Sequence, residues 1–164
     1  MTDTLINRHP NAHYCYVCGT KQEEGLHVEF FELASKRFLT IYHPHKDHQG
    51  YPEVLHGGVA AALLDEGMAR VYQVFFDDPW GMTIDLNIRY LKQMPMDQTL
   101  YVVSELTNDR SRMYEVKGYI TNGTEIYAKA TASYIKVSVF EKLKSLGYHI
   151  SDAPFPMQTI ELPE

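Results

Sequence analysis

The stretch His56-Gly57-Gly58-Val59-Ala60-Ala61-Ala62-Leu63-Leu64-Asp65 decides how this chain folds. From Gly58 to about Phe76 the sequence predicts one helix, with no internal proline and Gly67 as its only interior glycine. Val59 to Leu64 is apolar all round, and Met68, Ala69, Val71, Tyr72, Val74 and Phe75 continue the pattern. A helix without a polar face must be covered on most sides. The small residues Gly57, Gly58, Ala60, Ala61 and Ala62 predict close approach by a strand, a second subunit or a ligand. The first N–H groups of a helix lack partners within it, and the dipole adds positive potential. Two glycines leave those groups uncovered. Such an end suits an anion or a carbonyl oxygen. Asp65 follows Gly58 by about two turns, on the same face, with a rise on the order of 10 Å. Its side chain leans back toward the N-terminus. A carboxylate so placed can serve as a general base toward water, or attack directly. The plain alternative is that Asp65 and Glu66 sit exposed at a gap in the packing.

Outward from the helix, strand patterns take over. Leu26–Leu33 and Arg37–Tyr42 precede it, with a turn at Ala34-Ser35-Lys36. The stretch from His43 to Glu53 is a loop rich in turn formers and histidine. Four strand runs follow: Met82–Leu91, Thr99–Thr107, Arg112–Thr121 and Glu125–Val137. Asn122-Gly123 between the last two is a strong hairpin signal. Two strands, one helix and four strands predict an α+β layout, one helix covered by one curved antiparallel sheet. Residues 1–24 read as an irregular lead-in, 25–137 as the domain, and 138–164 as a short helix (Phe140–Leu146) followed by an extended tail. That tail, with Pro154, Pro156 and Pro163, is expected to be mobile or docked on a neighbour.

With 164 residues, the chain suits one domain. Hydrophobic residues make up 45% and charged residues 22%, which argues against disorder. The net charge of −6 disfavours non-specific binding to nucleic acid or to an anionic membrane. No apolar run is long enough to span a bilayer. The polar start, Met1 to Asn11, lacks a signal-peptide core, and the expected location is cytoplasmic.

The two cysteines form Cys15-Tyr16-Val17-Cys18. Two thiols cannot close a four-thiolate zinc site, although His9 and His13 lie just upstream. A thioredoxin-like setting is missing, and a loop with two reduced thiols, ended by Gly19, is the plain expectation. His43, His45 and His48 invite a metal, but no acidic or cysteine spacing follows, so a solvated or capping loop is expected. No metal is assigned. The 12 tyrosines are expected along the sheet and an interface.

Taken together these segments resemble one family. His56-Gly57-Gly58 followed by Asp65 resembles the HGG-x6-D signature of the PaaI-like (4HBT) hotdog thioesterases. Cys15-Tyr-Val-Cys-Gly19 with Gly25-Leu26 resembles the C-x-x-C-G…G-L lead-in of one branch. His48-Gln-Gly-Tyr-Pro52 through His56 resembles its H-Q-G-x-P-G-I-x-H approach, and Thr83–Leu91 its T-x-D-L-x-I-x-Y-L strand. The resemblance covers about residues 15–135 in the family's order. It implies a hotdog fold and hydrolysis of an acyl-CoA thioester to an acid and free CoA, with no cofactor beyond the substrate's own coenzyme A. It implies that Gly57, with Gly58, polarises the carbonyl, and that Asp65 is the acidic catalytic residue. His56 orders the loop, and Thr83 helps to place the water from the partner subunit of a homodimer or of a dimer of dimers, a tetramer. Two departures stand out. Gly50 occupies the position where some members carry Asn or Gln, leaving Gln49 as the substitute. Lys92-Gln93 replaces the usual Arg-Pro, with proline deferred to Pro95. Glu66, Arg89, Lys92, Arg110 and Arg112 are candidate substrate contacts, the cations for phosphate. The alternative is a non-catalytic acyl-CoA or lipid-binding module on the same fold. A hotdog hydratase would need a histidine on the helix, and none occurs between His56 and His149. Acyl-chain choice would rest on side chains such as Met68, Tyr72 and Phe75.

Overall fold

The computed structural model describes residues 1–78, 80–138 and 147–163. Helix α1 (Gly57–Ala69) is preceded by strands β1 (Thr2–His9), β2 (Asn11–Ala12), β3 (Glu29–Leu33), β4 (Phe38–Tyr42), β5 (Gln49–Tyr51) and β6 (Val54–Leu55). After it come β7 (Trp80–Tyr90), β8 (Leu100–Asp109), β9 (Met113–Thr121), β10 (Ile126–Val137), β11 (Tyr148–His149) and β12 (Thr159–Glu161). Eight strands form one antiparallel sheet in the order β12-β1-β3-β4-β8-β9-β10-β7, open at both edges. The helix lies on that sheet, which is the α+β hotdog layout expected from the sequence.

The stripe Ala60, Leu63, Leu64, Gly67 and Met68 is buried, at the i, i+3, i+4, i+7, i+8 spacing of a single helix face. Gly57 and Gly58 are exposed, and Val59, Ala61 and Ala62 half-buried. The sheet therefore covers one face of the helix, and Gly57, Gly58, Ala61 and Ala62 lie on the open one. The α-helix ends at Ala69 rather than near Phe76; Arg70–Val74 tighten into a 3-10 turn. There Tyr72 stacks on Phe76 and on Tyr114, and Tyr114 on Tyr134, at 4.9, 4.6 and 5.1 Å between ring centres.

The lead-in is not irregular throughout. Thr2–His9 pairs with β3 on one side and β12 on the other. Its sequence hides this because the register shifts between Leu5 and Asn7, which breaks the two-residue alternation. The tail docks on its own chain: Ile160 and Leu162 are buried with Leu5, Phe31, Leu33, Leu39 and Ile41, on the sheet face away from the helix. Both faces of β3 and β4 are thus covered, which explains their nearly unbroken burial, Glu32 and Thr40 included. The helix expected at Phe140–Leu146 lies outside the described residues. Gly123 closes the β9–β10 hairpin with a φ of 99°, and Asn122 Oδ1 accepts from Thr124 and Glu125 N–H.

Candidate active site

His56 caps α1: its Nδ1 accepts the Gly58 N–H at 2.9 Å. This fixes the proton of a neutral ring on Nε2. It also removes Gly58 as a donor to a substrate. Gly57 N–H meets no acceptor among the described residues, while its carbonyl accepts from the Tyr90 hydroxyl at 2.7 Å. The two glycines also differ in space. A Cβ on Gly58 would press on the His56 ring at 3.0 Å, whereas one on Gly57 would only touch the Tyr90 ring at 3.7 Å. Packing thus demands a small residue at 58 and leaves room at 57.

Asp65 is half-buried, and its Oδ1 accepts the Thr83 hydroxyl at 2.6 Å. Within the single chain the Thr83 hydroxyl reaches Asp65 of the same chain. A bulge makes this possible. In the β7–β10 ladder Ser133 faces Asp85 and Tyr134 faces Thr83, so Ile84 is the extra residue. The bulge inverts the alternation and turns Thr83 toward the helix. Tyr134 donates to the Asp65 main-chain oxygen at 3.1 Å and Tyr114 to that of Ala69 at 2.6 Å. Burial pushes both phenols well above their ordinary range, so they remain donors.

The other expected contacts disperse. Gln49 Oε1 accepts the Glu53 N–H at 3.1 Å and has no bond to Asp65. Gly50 packs on His56, where an added Cβ would stand 3.2 Å from the His56 Cα. Glu66 turns away from Asp65 and binds Arg70 at 3.0 Å. Arg89 lies on the sheet face away from the helix, in a groove of about 410 Å³ with Arg37, Lys117 and Lys129. Lys92 pairs with Glu125 at 2.7 Å. Arg110 pairs with Glu115 at 3.3 Å in the β8–β9 hairpin that also carries Arg112. That hairpin and Lys92 flank opposite ends of the long strands, so one chain cannot gather these cations at one phosphate. The reason is that side-chain type alone does not give the end or the face of a strand.

The histidines of the loop take separate partners: His43 with Thr99, His45 with Asp47, and His48 with the Tyr42 hydroxyl. Cys15 and Cys18 lie together near Glu66. The hydrogen bond from the Cys18 thiol holds the Cys15 thiol down to about 6. Arg70, not anticipated from the sequence, is buried and donates to Glu66, Pro10 O and Cys18 Sγ. Its i,i+4 spacing from Glu66 was the available signal. Tyr90 carried none.

Comparison with known proteins identifies similar chains. The family described as the thioesterase superfamily (4HBT) matches residues 53–129, which contain His56, Gly57, Asp65 and Thr83. The chain is 33% identical over 122 residues to rat acyl-coenzyme A thioesterase THEM4, covering 70% of this chain and 51% of that protein. It spans about half the length of the curated relatives it matches. A thioesterase superfamily protein of solved structure superposes with a TM-score of 0.66 at 23% identity, over 76% of this chain and 60% of the other. The BH2602 protein of Bacillus halodurans, solved with CoA, gives 0.61 at 25% identity, over 68% and 75%. An HGG helix start, an acid two turns on, a single helix on an open antiparallel sheet and these likenesses agree: residues 53–129 match the thioesterase superfamily, and the fold is the hotdog fold of its solved neighbours.

Proposed function

We propose that the protein hydrolyses an acyl-CoA thioester to a carboxylic acid and free CoA. One observation carries the reading: a carboxylate oriented by a hydroxyl, Asp65 with Thr83, on the helix whose first N–H, at Gly57, is open. Asp65 takes a proton from water, and the hydroxide adds to the thioester carbon. The oxyanion accepts from Gly57 N–H at the positive end of the helix. Collapse breaks the C–S bond, and the departing sulfur takes up a proton. Attack by Asp65 itself, through a mixed anhydride, is the competing course; single turnover in heavy-oxygen water separates the two. The names of the relatives and the CoA bound to the Bacillus halodurans protein support the substrate class.

The active form is a homodimer with shared sites. β7 is an edge strand carrying exposed Met82, Ile84 and Tyr90, the kind of edge that invites pairing. Along it, Thr83 marks the Asp65 end and Tyr90 the Gly57 end. Antiparallel pairing of two β7 strands, centred between Leu86 and Asn87, sets Thr83 of one copy opposite Tyr90 of the other. One copy's Asp65 then faces the other's Gly57.

The test uses thiol release from a panel of acyl-CoAs. Asp65→Asn should abolish turnover while the fold persists. Gly57→Pro should do the same, because proline is tolerated at a helix's first position and removes only the N–H. Mixing the two inactive variants should restore activity at the one intact site of each mixed dimer. No recovery would place the whole site within one chain. Ligand-dependent stabilisation of the native chain without turnover on any thioester would favour the binding-module reading.

A further inference from the structure

The N-terminal loop and α1 bring three metal-type ligands together. The sulfurs of Cys15 and Cys18 and a carboxylate oxygen of Glu66 all lie within 4.8 Å of one another. The loop is built around the sulfurs. Val17 N–H and Cys18 N–H point at Cys15 Sγ, at 3.3 and 3.5 Å, and Ala12 N–H points at Cys18 Sγ at 3.5 Å. Gly19 N–H closes the turn on the Cys15 carbonyl at 2.7 Å. A side chain at 19 is excluded, since its Cβ would stand 2.4 Å from that oxygen. Three backbone donors are thus aimed at the two sulfurs, while its bond to Cys15 and its burial raise the Cys18 thiol.

Arg70 completes the surroundings. It is 2% exposed, stacked over Phe30 at 4.3 Å and Trp80 at 4.7 Å, and donates to Cys18 Sγ at 3.5 Å. Both of its contacts with Glu66 fall on Oε1, which leaves Oε2 available. Two thiolates and one carboxylate bring three negative charges; a divalent cation and Arg70 bring three positive. A partly buried cluster of that composition is neutral, which lowers the cost of its desolvation. Arg70 would then hold a thiolate and a carboxylate as outer-shell partners do in metal centres. A cavity of about 270 Å³, lined by Cys15, Glu66, Arg70 and Trp80 among others, gives access. The upstream histidines stand elsewhere: His9 against Phe38 at 5.0 Å and His13 against Gly147.

We propose that Cys15, Cys18 and Glu66 form a binding site for a thiophilic divalent metal ion of the zinc class, with its fourth position open to water from the adjoining cavity. Soft thiolates with one carboxylate select such an ion over magnesium or calcium. Binding releases the protons of the thiols still protonated. The site is separate from the thioester reading, since Glu66 and Asp65 face different neighbours.

The experiment is a cobalt(II) titration of the full chain, stripped with a chelator and kept reduced with a phosphine. The expected result is one equivalent bound, a sulfur-to-cobalt charge-transfer band, tetrahedral visible bands, and loss of both on adding zinc. Cys15→Ser and Cys18→Ser should each remove the charge-transfer band. Glu66→Gln should keep it and weaken affinity about tenfold or more. Asp65→Asn should bind cobalt like the native chain, which keeps this result apart from any failure of the hydrolytic assignment. In the native chain zinc should protect both thiols from alkylation, a readout that needs no variant to fold. Absence of the band in the native chain at large cobalt excess, or unprotected thiols with zinc present, would overturn the proposal. So would ready closure of a Cys15–Cys18 disulfide that zinc does not slow.

Discussion

Asp65 and Glu66 are consecutive acids on one helix, and their settings differ in every respect that matters chemically. Consecutive helical residues project about 100° apart, so each meets a different element. Asp65 meets β7 and receives one neutral donor, the Thr83 hydroxyl. Glu66 meets the N-terminal loop and receives a buried guanidinium. A hydroxyl orients a carboxylate without cancelling its charge; a guanidinium cancels it. The acid with its charge left over suits work on a water, and the neutralised one suits structure or a metal centre.

The sharpest way to break this comparison is to neutralise each acid in turn. Asp65→Asn should lower kcat by about 10²–10⁴, measured as thiol release, with circular dichroism unchanged. Glu66→Gln should lower kcat by less than about tenfold, equivalent to roughly 1.4 kcal/mol. Equal losses in both variants would end the distinction. In denaturant melts the order reverses. Glu66→Gln leaves Arg70 short of its anion and should cost about 1–3 kcal/mol, whereas Asp65→Asn should cost less than about 1 kcal/mol.

Thr83 sharpens the same contrast at smaller scale. Thr83→Ala should lower kcat about tenfold, in keeping with one lost hydrogen bond to a charged group, and Thr83→Ser should restore most of it. Little difference between the two variants would show that the hydroxyl does not orient Asp65. The smallest effect belongs to an exposed pair, Lys92 with Glu125. Lys92→Ala should change stability by less than about 1 kcal/mol. If this cation also meets the phosphates of coenzyme A, KM rises while kcat stays level.

Much of the fold was readable because it rests on local pattern. The apolar run from Val59, the alternating runs of β8, β9 and β10, and Asn122-Gly123 each carry their own signal. β1 did not, since its polar residues and register shift give no alternation, and its order comes from pairing with β3 and β12. The tail was equally opaque: Ile160 and Leu162 are two apolar residues among prolines, and their burial depends on the outer sheet face.

Within the site, the glycines and Asp65 follow from the helix rules, the family signature adds His56, and the structure makes His56 the cap. The predicted phosphate contacts dispersed because a cation on a strand can lie at either end and on either face. Glu66 was grouped with Asp65 by adjacency in sequence, when adjacency on a helix separates neighbours.

By itself, then, the sequence determined a glycine-led helix bearing an acid two turns on, because helix periodicity and end chemistry are local. Tertiary structure decided which groups meet that helix. Strict alternation back from Tyr90 would turn Ile84 and Met82 to the helix and Thr83 away. The single extra residue in β7 reverses this and delivers Thr83 to Asp65. The Cys15–Cys18 loop and Glu66, far apart in sequence, meet only in the folded chain. Both are non-local events, fixed by the register of one segment against another.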